Sequence, residues 1–155
     1  MGRGGWGGGG AYSTEVFWDS SAVVPCILPE PRSVRLVSLL RNDADFALWW
    51  ASPVECQSAL YRRHGETALP IPLLNDALRR LARLSEDADV VAPTVRVRGR
   101  AGRLLAAHAL RAGDALQLAA ALVWCDDAPE TATFVCLDER LREAARREGF
   151  GLAPA

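Results

Sequence analysis

Four acidic residues, Asp19, Glu55, Asp114 and Asp138, stand where an acid can do chemistry in this 155-residue chain. Asp19 closes the apolar run "EVFWD" and is followed by Ser20 and Ser21. Glu55 lies in the first turn of "SPVECQSALYRRHGE", and Asp114 heads "DALQLAAALVW", which is apolar on nearly every face. Asp138 ends "TFVCLD". Each acid alone also reads as a helix cap, because aspartate is favoured there and a negative charge suits a helix N-terminus. Ser52 with Glu55 has the spacing of a capping box. Jointly the acids are costly. Three at one sheet edge and a fourth at the head of a buried helix repel one another and lose hydration. A hard divalent cation with oxygen ligands and several waters relieves that cost, which means Mg²⁺ or Mn²⁺. Such sites commonly carry out phosphoryl or phosphodiester chemistry.

The pattern around the acids supplies elements to position them. Residues 1–12 form a glycine-rich tail with a disordered composition, and residues 13–155 fit one domain. "EVFWD", "FALWWAS", "DVVAP", "TFVCLD" and "FGLAP" read as strands. Trp18, Trp49 and Trp50 lie in these strand-like runs and are expected in the core. Helical patterns separate them. The helix of "SAVVPCIL" carries Pro25, expected to distort it. "PEPRSVRLVSLLRN" spaces Val34, Val37 and Leu40 along one face, and "IPLLNDALRRLARLSED" does so with Leu74, Ala77, Leu78, Leu81 and Leu84. "VRVRGRAGRLLAAHAL" and "GDALQLAAALVWC" read as two helices broken near Gly113, and "ERLREAARREG" as the last helix. Alternating strands and helices predict a mainly parallel α/β sandwich. Ligands of such sheets sit at the carboxyl ends of the strands, where Asp19, Glu55 and Asp138 fall.

With the elements in place, the spacing is recognisable. "VFWDSSAVV", "SPVECQSALYRR", "LRAGDALQLAAAL" and "TFVCLDERLREAARREGF" resemble, in order, the four acidic motifs of the PIN-domain family. The likeness is closest to VapC-type toxins of bacterial toxin–antitoxin pairs, and "LPEPRS" also looks like that group. It covers about Glu15 to Leu152, essentially the whole folded chain. It implies a Rossmann-like three-layer α/β/α fold and a Mg²⁺- or Mn²⁺-dependent endoribonuclease. It also implies a VapB-type antitoxin that blocks the site, and often a homodimer. Asp19, Glu55 and Asp114 match the three core acids of the family, and Asp138 the fourth, more variable one. Ser20 or Ser21 matches the hydroxyl beside the first acid. The family often has serine or threonine two residues before the fourth acid. Here that residue is Cys136, which puts the support of Asp138 in doubt. Gln117 occupies a position where histidine is also frequent, and no chemistry is assigned to it.

The remaining residues narrow the choice. Net charge is −1, so RNA binding requires a local patch. Two basic clusters are candidates for phosphate contacts: Arg62, Arg63 and His64, and Arg96, Arg98, Arg100 and Arg103. Arg111, three residues before Asp114, is a third. No lysine occurs, which excludes lysine-dependent chemistry, including that of response-regulator receivers. A haloacid-dehalogenase-like phosphatase needs an acid two residues after the first, and here that position is Ser21. Cys26, Cys56, Cys125 and Cys136 form no C-x-x-C pair and read as buried thiols in a reducing compartment. With no apolar leader and no run long enough to span a bilayer, the expected location is the cytoplasm. One rival reading stays open: a catalytically weak PIN-like module that binds RNA or protein and keeps its acids as caps.

Overall fold

The computed structural model describes residues 15–28, 30, 31, 33–42 and 45–154. The glycine-rich tail expected over residues 1–12 lies outside them. Among the described residues, five strands form one sheet: β1 (Glu15–Trp18), β2 (Phe46–Trp49), β3 (Asp89–Val91), β4 (Ala132–Val135) and β5 (Gly151–Ala153). Their order is β3-β2-β1-β4-β5, and every pairing is parallel. β1 therefore lies at the centre, with the chain leaving it toward β2 on one side and returning as β4 on the other. That is the switch point at which parallel sheets open a crevice.

The two-residue period of the strands divides the core into two layers. Phe17, Ala47, Trp49 and Phe134 face one cluster, packed by α5 (Val95–Ala107), α6 (Ala112–Trp124) and α7 (Glu139–Glu148). Val16, Trp18, Phe46, Leu48 and Val135 face the other, packed by α1 (Ser20–Ile27), α2 (Ser33–Asn42), α3 (Ser52–Thr67) and α4 (Ile71–Asp87). The result is the expected three-layer α/β/α sandwich. Phe17 stacks on Phe134 with ring centroids 5.7 Å apart, tying β1 to β4 beneath the crevice.

Several local expectations are corrected. α1 runs through Pro25 as one helix. On α2 the buried apolar residue is Leu36, whereas Val34 is 79% exposed. The break between α5 and α6 falls over His108 to Arg111, not at Gly113, which lies in the first turn of α6. The cause is His108: its amide caps Leu104, and its ring lies 2.6 Å from the Glu148 carboxylate on α7. β2 ends at Trp49, so Trp50 falls in the turn before α3 and is 58% exposed instead of buried.

The helix face of α6 should dominate stability, because most of its length is enclosed. Leu118 is completely buried there. Leu118→Ala is expected to cost about 2–5 kcal/mol, read as a lower urea midpoint at unchanged slope. A loss below about 1 kcal/mol would show that this layer repacks freely.

Candidate active site

The sheet ladder itself delivers the first acid. The Asp19 amide donates to the Val135 carbonyl at 2.9 Å, extending the β1–β4 pairing by one residue. The chain then enters α1 with Asp19 as its N-cap, and Asp19 Oδ2 accepts the Ser21 amide at 3.0 Å. Cap and site acid are thus one residue, and Asp19 is only 4% exposed. Its Oδ2 also receives the Cys136 thiol at 3.5 Å. Cys136 thus meets the Asp19 carboxylate, whereas at the fourth acid it reaches only the Asp138 backbone carbonyl, at 3.6 Å. Asp138 is held instead by capping α7, where its Oδ1 accepts the Leu141 amide at 2.9 Å. The Ser21 hydroxyl accepts the Leu137 amide at 2.9 Å and so staples α1 to the loop between the two acids.

Glu55 is placed by a different device, and the expected capping box does not form. α3 begins with Ala51 at its cap and no side-chain capping bond. Both members of the box turn inward. Ser52 Oγ accepts from Gln117 Nε2 at 3.0 Å, and Glu55 Oε2 accepts the Ser20 hydroxyl at 3.0 Å. Gln117 Nε2 also donates to Ser20 Oγ at 2.8 Å and lies 3.3 Å from Glu55 Oε2. Gln117 is completely buried, and its Oε1 has no partner. The sequence signal for it was present: a polar residue one helical turn beyond Asp114 on an otherwise apolar helix. Spacing alone did not show what it would touch.

These side chains line one open cleft of about 630 Å³, with Asp19, Ser20, Ser21, Glu55, Asp114 and Asp138 on its walls. All four predicted acids are brought together. Of the predicted arginines, Arg62 and Arg111 also line the cleft. The others do not. Arg63 pairs with Glu30, and Arg100 with Asp127. Arg96 lies 3.1 Å from Asp127 and 3.8 Å from Asp126. Those aspartates follow the far end of α6, about 15 Å or more along the helix from Asp114. Arg98 is exposed and lines no part of the cleft.

The acids sense one another. Burial pushes the Asp19 carboxyl above the ordinary value of 3.8, against the opposing hydrogen bonds from Ser21, Cys136 and the Ser20 backbone. Glu55 is raised by burial and by Asp19 and Asp114, while Gln117 and Ser20 pull it down. Asp114 is raised by burial and by Asp19 and Asp138, with Arg111 opposing. Burial likewise pushes the Cys56 thiol up to about 12 and raises Cys136, so both remain protonated donors rather than nucleophiles.

The architecture is a three-layer α/β/α fold of the PIN-like kind, with the cleft at its switch point. No protein-family model and no curated protein matches the sequence. Solved structures share the fold. VapC20 of Mycobacterium tuberculosis, described as a sarcin-ricin loop cleaving toxin, superposes with a TM-score of 0.63 at 18% identity over 84% of this chain and 95% of that one. PAE2754 of Pyrobaculum aerophilum gives 0.62 at 17% identity over 92% of each chain. FitAcB of Neisseria gonorrhoeae gives 0.62 at 15% identity over 88% of this chain and 95% of that one.

The raised carboxyls fix a sign for pH dependence. Asp19, Glu55 and Asp114 each bind a proton more tightly in the folded than in the unfolded chain. Stability therefore rises as pH falls from neutral through the raised folded values toward the ordinary ones, and is lost as pH rises. In chelator, the thermal midpoint should climb as pH drops from neutral toward the ordinary carboxylate range. Asp19→Asn should raise the midpoint at the upper pH, reflecting about 1.4 kcal/mol of unfolding free energy for each pKa unit relieved, and flatten the slope. A midpoint that falls over this range in the parent protein would contradict the assignment.

Proposed function

We propose that this chain is a metal-dependent endoribonuclease that hydrolyses RNA phosphodiester bonds and acts as the toxin of a toxin–antitoxin pair. The observation that carries the reading is the gathering of Asp19, Glu55, Asp114 and Asp138 on one cleft at the carboxyl ends of the central strands. The fold shared with VapC20, itself described as an RNA-loop-cleaving toxin, adds support.

The donor set suits a hard divalent ion, with carboxylate oxygens exposed to the cleft and both nearby thiols protonated. Among the described residues, no three His, Cys, Asp or Glu side chains form a group that holds an ion by themselves. One or two carboxylates with water completing the shell is the ordinary binding mode of Mg²⁺. Asp19, Glu55 and Asp114 would hold Mg²⁺ or Mn²⁺ together with its waters, one or two of them directly, and Asp138 would help through a water or a second ion. When bound, the ion supplies Lewis acidity toward phosphate oxygens and lowers the pKa of water. The protein groups do the rest. Arg62 and Arg111, on the rim, offer forked donors to backbone phosphates flanking the cut. The four acids repel the phosphodiester unless their charge is balanced, so cleavage depends on the cation. A VapB-type antitoxin would cover the same cleft, and a homodimer in the cytoplasm is the expected working form. No helix among the described residues is long and apolar enough to cross a membrane.

Two measurements test the reading. Asp19→Asn should lower RNA cleavage in Mg²⁺ by about 10³-fold or more and abolish growth inhibition, with the folded circular-dichroism spectrum retained. Excess EDTA should stop cleavage by the parent, and added Mn²⁺ should restore it. Cleavage by Asp19→Asn at the parental rate, or full activity in EDTA, would leave the chain as a binding module. Arg62→Ala and Arg111→Ala should each weaken RNA binding and reduce its salt dependence by about one unit of slope.

A further inference from the structure

We infer that Gln117 is a positioning residue whose amide, directly and through the Ser20 hydroxyl, fixes the cleft-facing carboxylate of Glu55 for a divalent cation. The inference rests on the reading of the cleft as a cation site.

The argument begins with the direction of the hydrogen bonds. An amide nitrogen carries two protons and accepts nothing. Gln117 Nε2 lies 2.8 Å from Ser20 Oγ and 3.0 Å from Ser52 Oγ, so both serine oxygens serve as acceptors there. With its oxygen occupied in this way, the Ser20 hydroxyl proton is directed to Glu55 Oε2 at 3.0 Å. The chain therefore runs one way, from α6 through α1 to α3, and ends on Glu55. Reversing the amide would put Oε1 against both serines. Each hydroxyl would then donate to Gln117, and Glu55 would lose its Ser20 donor.

The second observation is the state of Gln117 itself. It is completely buried in a helix of alanines and leucines, and its Oε1 has no hydrogen-bond partner. A buried unpaired oxygen lowers stability. A residue kept for packing alone would be replaced without loss by an apolar side chain of similar shape. Here the nitrogen of the same group ties three elements together beneath the cleft. Glu55 Oε2 is thereby held back, while its Oε1 makes no hydrogen bond among the described residues and is left for a ligand.

The two roles predict opposite outcomes, so one experiment separates them. Gln117→Met removes the amide and keeps the length. Mn²⁺ binding is measured by the loss of the free-ion electron paramagnetic resonance signal, and metal-free stability by thermal unfolding, on the full chain. The expected result is a thermal midpoint equal to or above the parent's with a Mn²⁺ dissociation constant raised about tenfold or more. A lower midpoint with parental Mn²⁺ affinity would make Gln117 purely structural and overturn the inference. Ser20→Ala interrupts the chain at its middle and should raise the dissociation constant similarly. The double variant should be no worse than Gln117→Met alone, because that change removes both the direct bond and the orientation of the Ser20 hydroxyl. Additive losses would overturn the pathway, and the Ser20→Ala result still decides the case if Gln117→Met does not fold. Asp19→Asn is the control. If it weakens Mn²⁺ binding and the other variants do not, the inference fails alone. If it also leaves binding unchanged, the reading of the cleft fails with it.

Discussion

The structure depends on one electrostatic constraint: a carboxylate at the end of the central strand must stay chargeable while almost out of reach of water. Asp19 is 4% exposed and shares its cleft with three other acids. Desolvation and like charge both favour the proton. Opposing them are the Ser21 amide, the Cys136 thiol and the N-terminus of α1, which all favour the anion. The sheet supplies the position, because β1 is flanked on both sides by parallel neighbours and its last residue opens onto the switch point. Two apolar layers then hold that strand end rigid.

Charge bookkeeping around the cleft explains why the arginines distribute as they do. Among its lining residues, four acids face two arginines, Arg62 and Arg111. Arg96 and Arg100, which look in sequence like a nucleic-acid patch, spend their charge on Asp126 and Asp127 at the far end of α6. The cleft floor is left net negative with a sparse cationic rim. Such a floor repels a polyanion unless its charge is balanced.

Much of this was legible in the sequence for a definite reason. The fold follows from strand–helix alternation, and the acids follow from it in turn, because a residue just after a strand or at a helix head has only one edge of the sheet to occupy. Asp19, Glu55, Asp114 and Asp138 could therefore be placed together. What spacing could not supply was competition between local and long-range partners. Ser52 and Glu55 have the pattern of a capping box, yet both bond across the core to Gln117 and Ser20. Cys136 stands in a position tied by sequence to Asp138, yet its thiol serves Asp19. Trp50 continues an apolar run, and one residue past the strand end is enough to expose it. In each case the local signal was correct about chemistry and silent about direction.

The support given to the four acids is unequal, and the inequality bears on how the site works. Asp19 and Glu55 each have one oxygen fixed by protein donors before any ligand arrives. Asp138 is fixed by capping α7. Asp114 makes no side-chain hydrogen bond among the described residues and is placed by the head of α6, with Arg111 as its opposing charge. The acids on α1 and α3 are thus tied by hydrogen bonds from other residues, and the acid on α6 is placed by its helix alone. Amides and hydroxyls offset part of the repulsion among the acids. Gln117 sits on α6 with Asp114 but bonds to Ser20, Ser52 and Glu55, so the helix whose own acid has no side-chain bond is the one that secures Glu55.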